Sequence, residues 1–298
     1  MTTEIRIDAL LPSEMATRAE FVGVRKAEMP LVTMFALSVL AGAFIALGAI
    51  FATTVLAGGI SVKDAQGATV LTSALPYGIN RLLAGLVFCL GLILVVVGGA
   101  ELFTGNNLIV MAWASGKVTS TALLRNWGIV YIGNFIGSIG TAVMIFFSKQ
   151  YMFSGGAIGL TSLNIANAKV ELGFVQAIAL GILCNALVCL AVWMTFSARS
   201  TTDKILAIIF PISAFVAAGF EHSIANMYFI PIGLFIKNYA GPEFWEMIGK
   251  TPADYASLTW GSFFVDNLLP VTLGNIIGGA ILVAAIYWMI FLRPSKKS

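Results

Sequence analysis

The stretch Gly219-Phe220-Glu221-His222-Ser223-Ile224-Ala225-Asn226 decides how this chain is to be read. It interrupts an apolar run from about Ile205 to Ile236 that is long enough to cross a bilayer. A charged group at bilayer depth costs about 2.5–3.5 kcal/mol on insertion scales. Residues that costly face a partner, a cavity or a pathway, so the default reading of Glu221 and His222 is a functional site. The bland alternative is that Glu221 pins a helix break through backbone hydrogen bonds and His222 packs against it. The bland reading is preferred for Glu221. The functional one is preferred for His222, the only histidine among the 298 residues.

The composition agrees with a membrane setting. The chain is 59% hydrophobic and only 10% charged, against about 25% charged in soluble domains. Its apolar runs are continuous and of helix length, which favours a helical bundle over a barrel of alternating strands. A basic stripe with interleaved aromatics is absent, so no nucleic-acid partner is expected. Cys89, Cys184 and Cys189 lie inside apolar runs and read as small buried hydrophobes, without a disulfide framework or metal site. No cofactor is expected.

Working outward, six spans are predicted: about Leu31–Leu56, Tyr77–Trp113, Leu123–Phe147, Leu172–Phe196, Ile205–Ile236 and Phe263–Leu292. The second is too long for one straight crossing and is broken at Gly99-Ala100-Glu101-Leu102-Phe103-Thr104-Gly105-Asn106. A polar loop is expected over Ser61–Gln66. Residues 1–29 form an N-terminal segment with a short amphipathic helix from Pro12 to Glu28, 30–293 the membrane domain, and 294–298 a tail.

The basic residues then sort into two sets. Arg6, Arg18, Arg25, Lys26, Lys117, Arg125, Arg199, Lys204, Arg293, Lys296 and Lys297 fall on one side. Lys63, Arg81, Lys149, Lys169, Lys237 and Lys250 fall on the other. Eleven against six places both termini in the cytoplasm.

An internal repeat is the strongest signal. The segment from Gly99 to Asn106 aligns with Gly219 to Asn226, matching Gly, Glu, a small residue and Asn at one spacing. Asn126 with Gly133-Asn134 and Gly137 aligns with Asn267, Gly274-Asn275 and Gly278. Each half holds three spans, so the second half enters from the opposite side, giving two inverted repeats of about 30–150 and 170–293. Paired broken helices in such repeats point to a midplane site where half-helix ends line a cavity. Gly133/Gly137 and Gly274/Gly278 read as close-packing pairs. Glu101, Glu221, Asn106 and Asn226 are expected to stabilise the breaks, the glutamates by accepting backbone N–H groups.

The segments Ala100–Thr104, Arg125-Asn126-Trp127, Gly219–Met227 with Ile230-Pro231-Ile232-Gly233, and Asn267–Asn275 resemble the formate/nitrite transporter family. The match runs from about Leu10 to Arg293, and Gly181–Trp193 with the His222 motif is most similar to the family's bacterial formate channels. The resemblance implies an aquaporin-like fold, a homopentamer in the bacterial inner membrane, and one pathway per protomer for formate or another small monovalent anion such as nitrite or hydrosulfide.

It also assigns roles. His222 is the pore histidine and Thr104 faces it. Asn185 and Asn275 are polar groups near the site. Lys169 is a lysine of the opposite-side loop that draws anions inward. Phe88, Leu92, Phe103 and Phe215 form apolar constrictions. Two departures are noted: Glu171 follows Lys169 closely, and Gly105-Asn106-Asn107 stands where small hydroxylated residues are usual. The chemistry of the residues is compatible, since desolvating an anion is costly and histidine changes charge near neutral pH. An intramembrane enzyme lacks an acid–base–nucleophile set here, and a scaffold leaves the Glu-His motif unexplained.

Overall fold

The computed structural model describes residues 9–58, 60–63, 69–73 and 75–293. The expectations for residues 1–8 and for the tail at 294–298 lie outside the described residues. Six helical stretches among those described are long and apolar enough to cross a membrane. The protein is therefore a predominantly helical multi-pass membrane protein.

In order, the chain forms α1 (Pro12–Ala27), α2 (Leu31–Leu56), a hairpin of β1 (Ile60–Lys63) and β2 (Thr69–Ser73), then α3 (Tyr77–Gly98). Next come the short α4 (Phe103–Asn106), a 3-10 turn at Asn107–Ile109, α5 (Val110–Ala114) and α6 (Ser120–Phe147). The second half holds α7 (Ala157–Val170), α8 (Phe174–Thr195), α9 (Thr201–Ala218), α10 (Ser223–Tyr239) and α11 (Pro242–Ile248). The last span runs through α12 (Trp260–Ser262), α13 (Leu269–Ile276) and α14 (Ile286–Phe291), with wider π-helical turns at Phe263–Leu268 and Ile277–Ala285. The first of these lies just before Pro270, which has no N–H to donate to the carbonyl four residues back.

Two elements differ from the sequence reading. The expected polar loop at Ser61–Gln66 begins as a strand, with Ile60 paired to Ser73 and Val62 to Leu71. The β-branched residues at 60, 62, 69, 70 and 72 favour that pairing. Helix α7 was not anticipated, because its apolar and polar residues show little helical segregation over Ala157–Val170.

The long helices touch through small residues. α2 packs on α6, and α8 packs on α13. A methyl added at Gly137 would lie 2.0 Å from the Val39 carbonyl oxygen, and one at Gly278 2.2 Å from that of Ile182. Only glycine permits either approach.

Candidate functional site

Both expected interruptions have the same local cause. α3 stops at Gly98 and the chain turns through Gly99 at φ +81°. α9 stops at Ala218 and turns through Gly219 at φ +77°. Such left-handed geometry is open to glycine at little cost. The chain then extends through Leu102 (φ −110°, ψ 124°) and His222 (φ −112°, ψ 112°) before helix resumes at Phe103 and Ser223.

Breaking a helix inside a bilayer exposes backbone groups that must find partners. Two asparagines supply them. Asn134 Oδ1 accepts the Phe103 N–H at 2.9 Å, while its Nδ2 donates to the carbonyls of Glu101 and Ser38. Asn275 Oδ1 accepts the Ser223 N–H at 2.9 Å, while its Nδ2 donates to the carbonyls of Glu221 and Gly181.

The glutamates do a different job from the one expected. The hydrogen bonds made by their carboxylates come from side chains, not backbone N–H groups. Glu101 takes Lys26 Nζ at 2.6 Å and Asn106 Nδ2 at 2.7 Å. Glu221 takes Lys169 Nζ at 2.7 Å and Asn226 Nδ2 at 2.6 Å. Each of those asparagines also donates to a third one, Asn126 Oδ1 at 2.9 Å or Asn267 Oδ1 at 2.7 Å. Asn126 and Asn267 in turn donate to the backbone carbonyls of Lys26 and Lys169. A carboxylate at that depth is affordable because a cation and amide donors surround it.

Lys26, in the last turn of α1, is therefore the counterpart of Lys169, in the last turn of α7. Sequence reasoning missed Lys26. The signal was present: Lys26-Ala27-Glu28 precedes α2 as Lys169-Val170-Glu171 precedes α8. Lys169 lies on a helix, not on the loop expected. Glu171 does not compete with Glu221 for it, since its carboxylate binds Asn167 Nδ2 at 2.8 Å and Ser257 Oγ at 2.7 Å.

Cavities follow the breaks. One of about 270 Å³ is lined by Arg81, Phe88, Lys169, Phe215, Glu221 and His222 among others. A second, of about 290 Å³, is lined by Arg18, Lys26, Leu92, Glu101, Leu102 and Lys204 among others. Between them is a void of about 10 Å³ walled by Phe88, Leu92, Leu102, Phe215 and His222, with Ile45, Val188 and Ile212. That is close to the least space that holds one water. Phe88 and Phe215 meet edge to face at 5.7 Å between ring centres.

His222 is 3% exposed and lies in the void wall. Its Nδ1 accepts the Ala225 N–H at 3.1 Å. That bond leaves the neutral ring's proton on Nε2, which lies 3.1 Å from Thr104 Oγ1. The ring stacks on Phe215 at 5.9 Å.

Other expected site residues lie elsewhere. Phe103 packs between Trp127 and Tyr131 (centroids 5.9 and 5.0 Å) and lines none of these cavities. Successive residues of an extended segment point opposite ways, so Leu102 faces the void where Phe103 was expected. Asn275 and Asn185 also line none of them. Asn275 is committed to the break, and Asn185 Nδ2 reaches the carbonyls of Asn275 at 2.6 Å and Thr104 at 3.3 Å. Both amides bond to backbone groups.

The sequence model described as formate/nitrite transporter matches residues 13–289. The formate channel FocA of Escherichia coli K12 is 45% identical over 295 residues, covering 99% of each chain. A solved pentameric formate channel with formate bound superposes with a TM-score of 0.79 at 46% identity, over 88% of this chain and 98% of that one. A solved FNT family ion channel gives 0.74 at 25% identity, over 93% and 99%. With its paired breaks and the cavities between them, this chain belongs to the formate/nitrite transporter family.

Proposed function

We propose that the chain is a plasma-membrane channel that passes formate or a similar small monovalent anion, with His222 as the pore histidine. The observation that carries this reading is the order of groups along the cavities: cation-bearing vestibule, apolar constriction, His222, apolar constriction, cation-bearing vestibule. Vestibule cations draw an anion in. Between Phe88 and Phe215 on one side and Leu92 and Leu102 on the other, a bare charge is costly. The Nε2–H of His222, held toward Thr104, is the group there able to bond an anion's oxygen. A ring that has first taken up a proton from vestibule water passes one proton to the anion and returns to the neutral imidazole. The anion then crosses the apolar gate as a neutral acid.

The architecture is read as two inverted repeats with broken second and fifth spans, supported by the matched bonding of the breaks. Both termini are then cytoplasmic, and the domain covers 30–293 behind an N-terminal segment. α1 joins its first repeat through Lys26. A homopentamer is inferred from the similar pentameric channel.

Purified protein in proteoliposomes tests the substrate. Saturable formate flux is expected, with nitrite, hydrosulfide and lactate measured alongside as competing candidates. Flux no greater than in protein-free vesicles for all four would overturn the reading. A cysteine introduced near Ser298 tests orientation, since an impermeant reagent should leave it unlabelled in intact cells.

A further inference from the structure

The charges of the His222-side vestibule do not fall where the sequence suggests. Arg81, Lys169 and Glu221 are the charged side chains that line it. Lys169 is held at 2.7 Å by Glu221, and their side chains are only 15% and 5% exposed. Together this pair presents no net charge. The remaining charge is Arg81.

Arg81 enters from the first turns of α3. Its Nε donates to the Ala217 carbonyl at 3.3 Å and its Nη2 to that of Val216. These carbonyls end α9, where the chain turns away at Gly219 and the helix offers no further donors. A helix C-terminus carries partial negative charge, which would repel an anion in the vestibule. Arg81 covers that end. The helix end carries about half a unit of negative charge and offsets the guanidinium only in part, and a guanidinium has five N–H donors. Among the described residues no carboxylate lies within ion-pair distance of it.

We propose that Arg81 is the anion-capturing residue of this vestibule, binding a small carboxylate or similar oxyanion before it reaches His222. Lys169 belongs to the scaffold of the break. This rests on the reading of the chain as an anion channel.

The test is formate uptake from the Arg81 side in proteoliposomes. Arg81→Gln should raise the half-saturating formate concentration about tenfold, the lower end of what focused charge contributes, with little change in maximal rate. The difference from wild type should shrink in high salt. Arg81→Lys should recover most of it. The pair Lys169→Met with Glu221→Gln, which removes both charges and leaves the net charge unaltered, should keep half-saturation near wild type.

If Arg81→Gln does not assemble, Arg81→Cys modified by a cationic methanethiosulfonate reagent should capture formate better than the same protein carrying a neutral one. The three native cysteines are buried. Wild-type half-saturation in Arg81→Gln, or equal capture by the cationic and neutral adducts, would overturn the proposal. Absence of formate flux in the wild type would instead overturn the channel reading itself.

Discussion

The two helix breaks are built alike and finished differently. Each has a left-handed glycine, an extended residue, a glutamate ion-paired to a lysine in the last turn of a helix well upstream in the chain, and three asparagines. At the extended position the first break carries Leu102 and the second His222. Where α2 presses on the Asn134 carbonyl through Gly42, α8 places Asn185, which donates to the Asn275 carbonyl and reaches across to Thr104. The lysines differ too. Lys26 Nζ bonds both Glu101 and Asn106 Oδ1, whereas Asn226 Oδ1 has no protein donor among the described residues. What is duplicated holds the breaks open, and the unduplicated His222 and Asn185 lie at the second break. The symmetry thus separates the shared scaffold from His222, the group proposed as the pore histidine.

The comparison breaks most severely at the carboxylates. Glu221→Ala leaves the Lys169 ammonium without its anion in a poorly hydrated site, a change of about 3–5 kcal/mol for a buried pair. Glu101→Ala should cost less, because the Lys26 side chain is 27% exposed against 15% for Lys169. Thermal unfolding in detergent should rank them in that order, and a more damaging Glu101→Ala would break the ranking.

Next come the glycine contacts. Gly137→Ala and Gly278→Ala each drive a methyl into a carbonyl oxygen at about 2 Å, so both should lower stability by about 1–3 kcal/mol or more. Near-equal melting shifts would confirm that the two helix pairs are equivalent.

His222→Phe sharpens the comparison by removing the unduplicated group. The folded oligomer should survive, while formate uptake at low external pH falls about a hundredfold, the low end of what a positioned proton donor contributes. Its pH dependence should go with it. A well-folded variant that keeps the wild-type rate and pH profile would reduce His222 to packing.

The smallest effect separates the two asparagines. Asn106→Ala loses a bond to Lys26 that Asn226 lacks toward Lys169, so it should be costlier than Asn226→Ala by about 1 kcal/mol. Matched denaturation of the two variants measures the difference.

By itself the sequence determined the membrane class, the spans, the places where the second and fifth apolar runs fail, and the pairing of one half of the chain with the other. Those depend on local quantities: hydropathy over a span, a glycine followed by a carboxylate, and repeated spacing. Only tertiary structure decided which donor each carboxylate meets. Lys26 and Glu101 are far apart in the chain, and no periodicity reports a side-chain contact between α1 and the first break. It also decided that Leu102, and not Phe103, faces the void, because that depends on where an extended residue points once α6 has claimed its neighbour. The vestibule charges were settled the same way. Lys169 and Arg81 carry equal charge in the sequence, but in the fold one is paired with the Glu221 carboxylate and the other is held by helix-end carbonyls that offset it only in part.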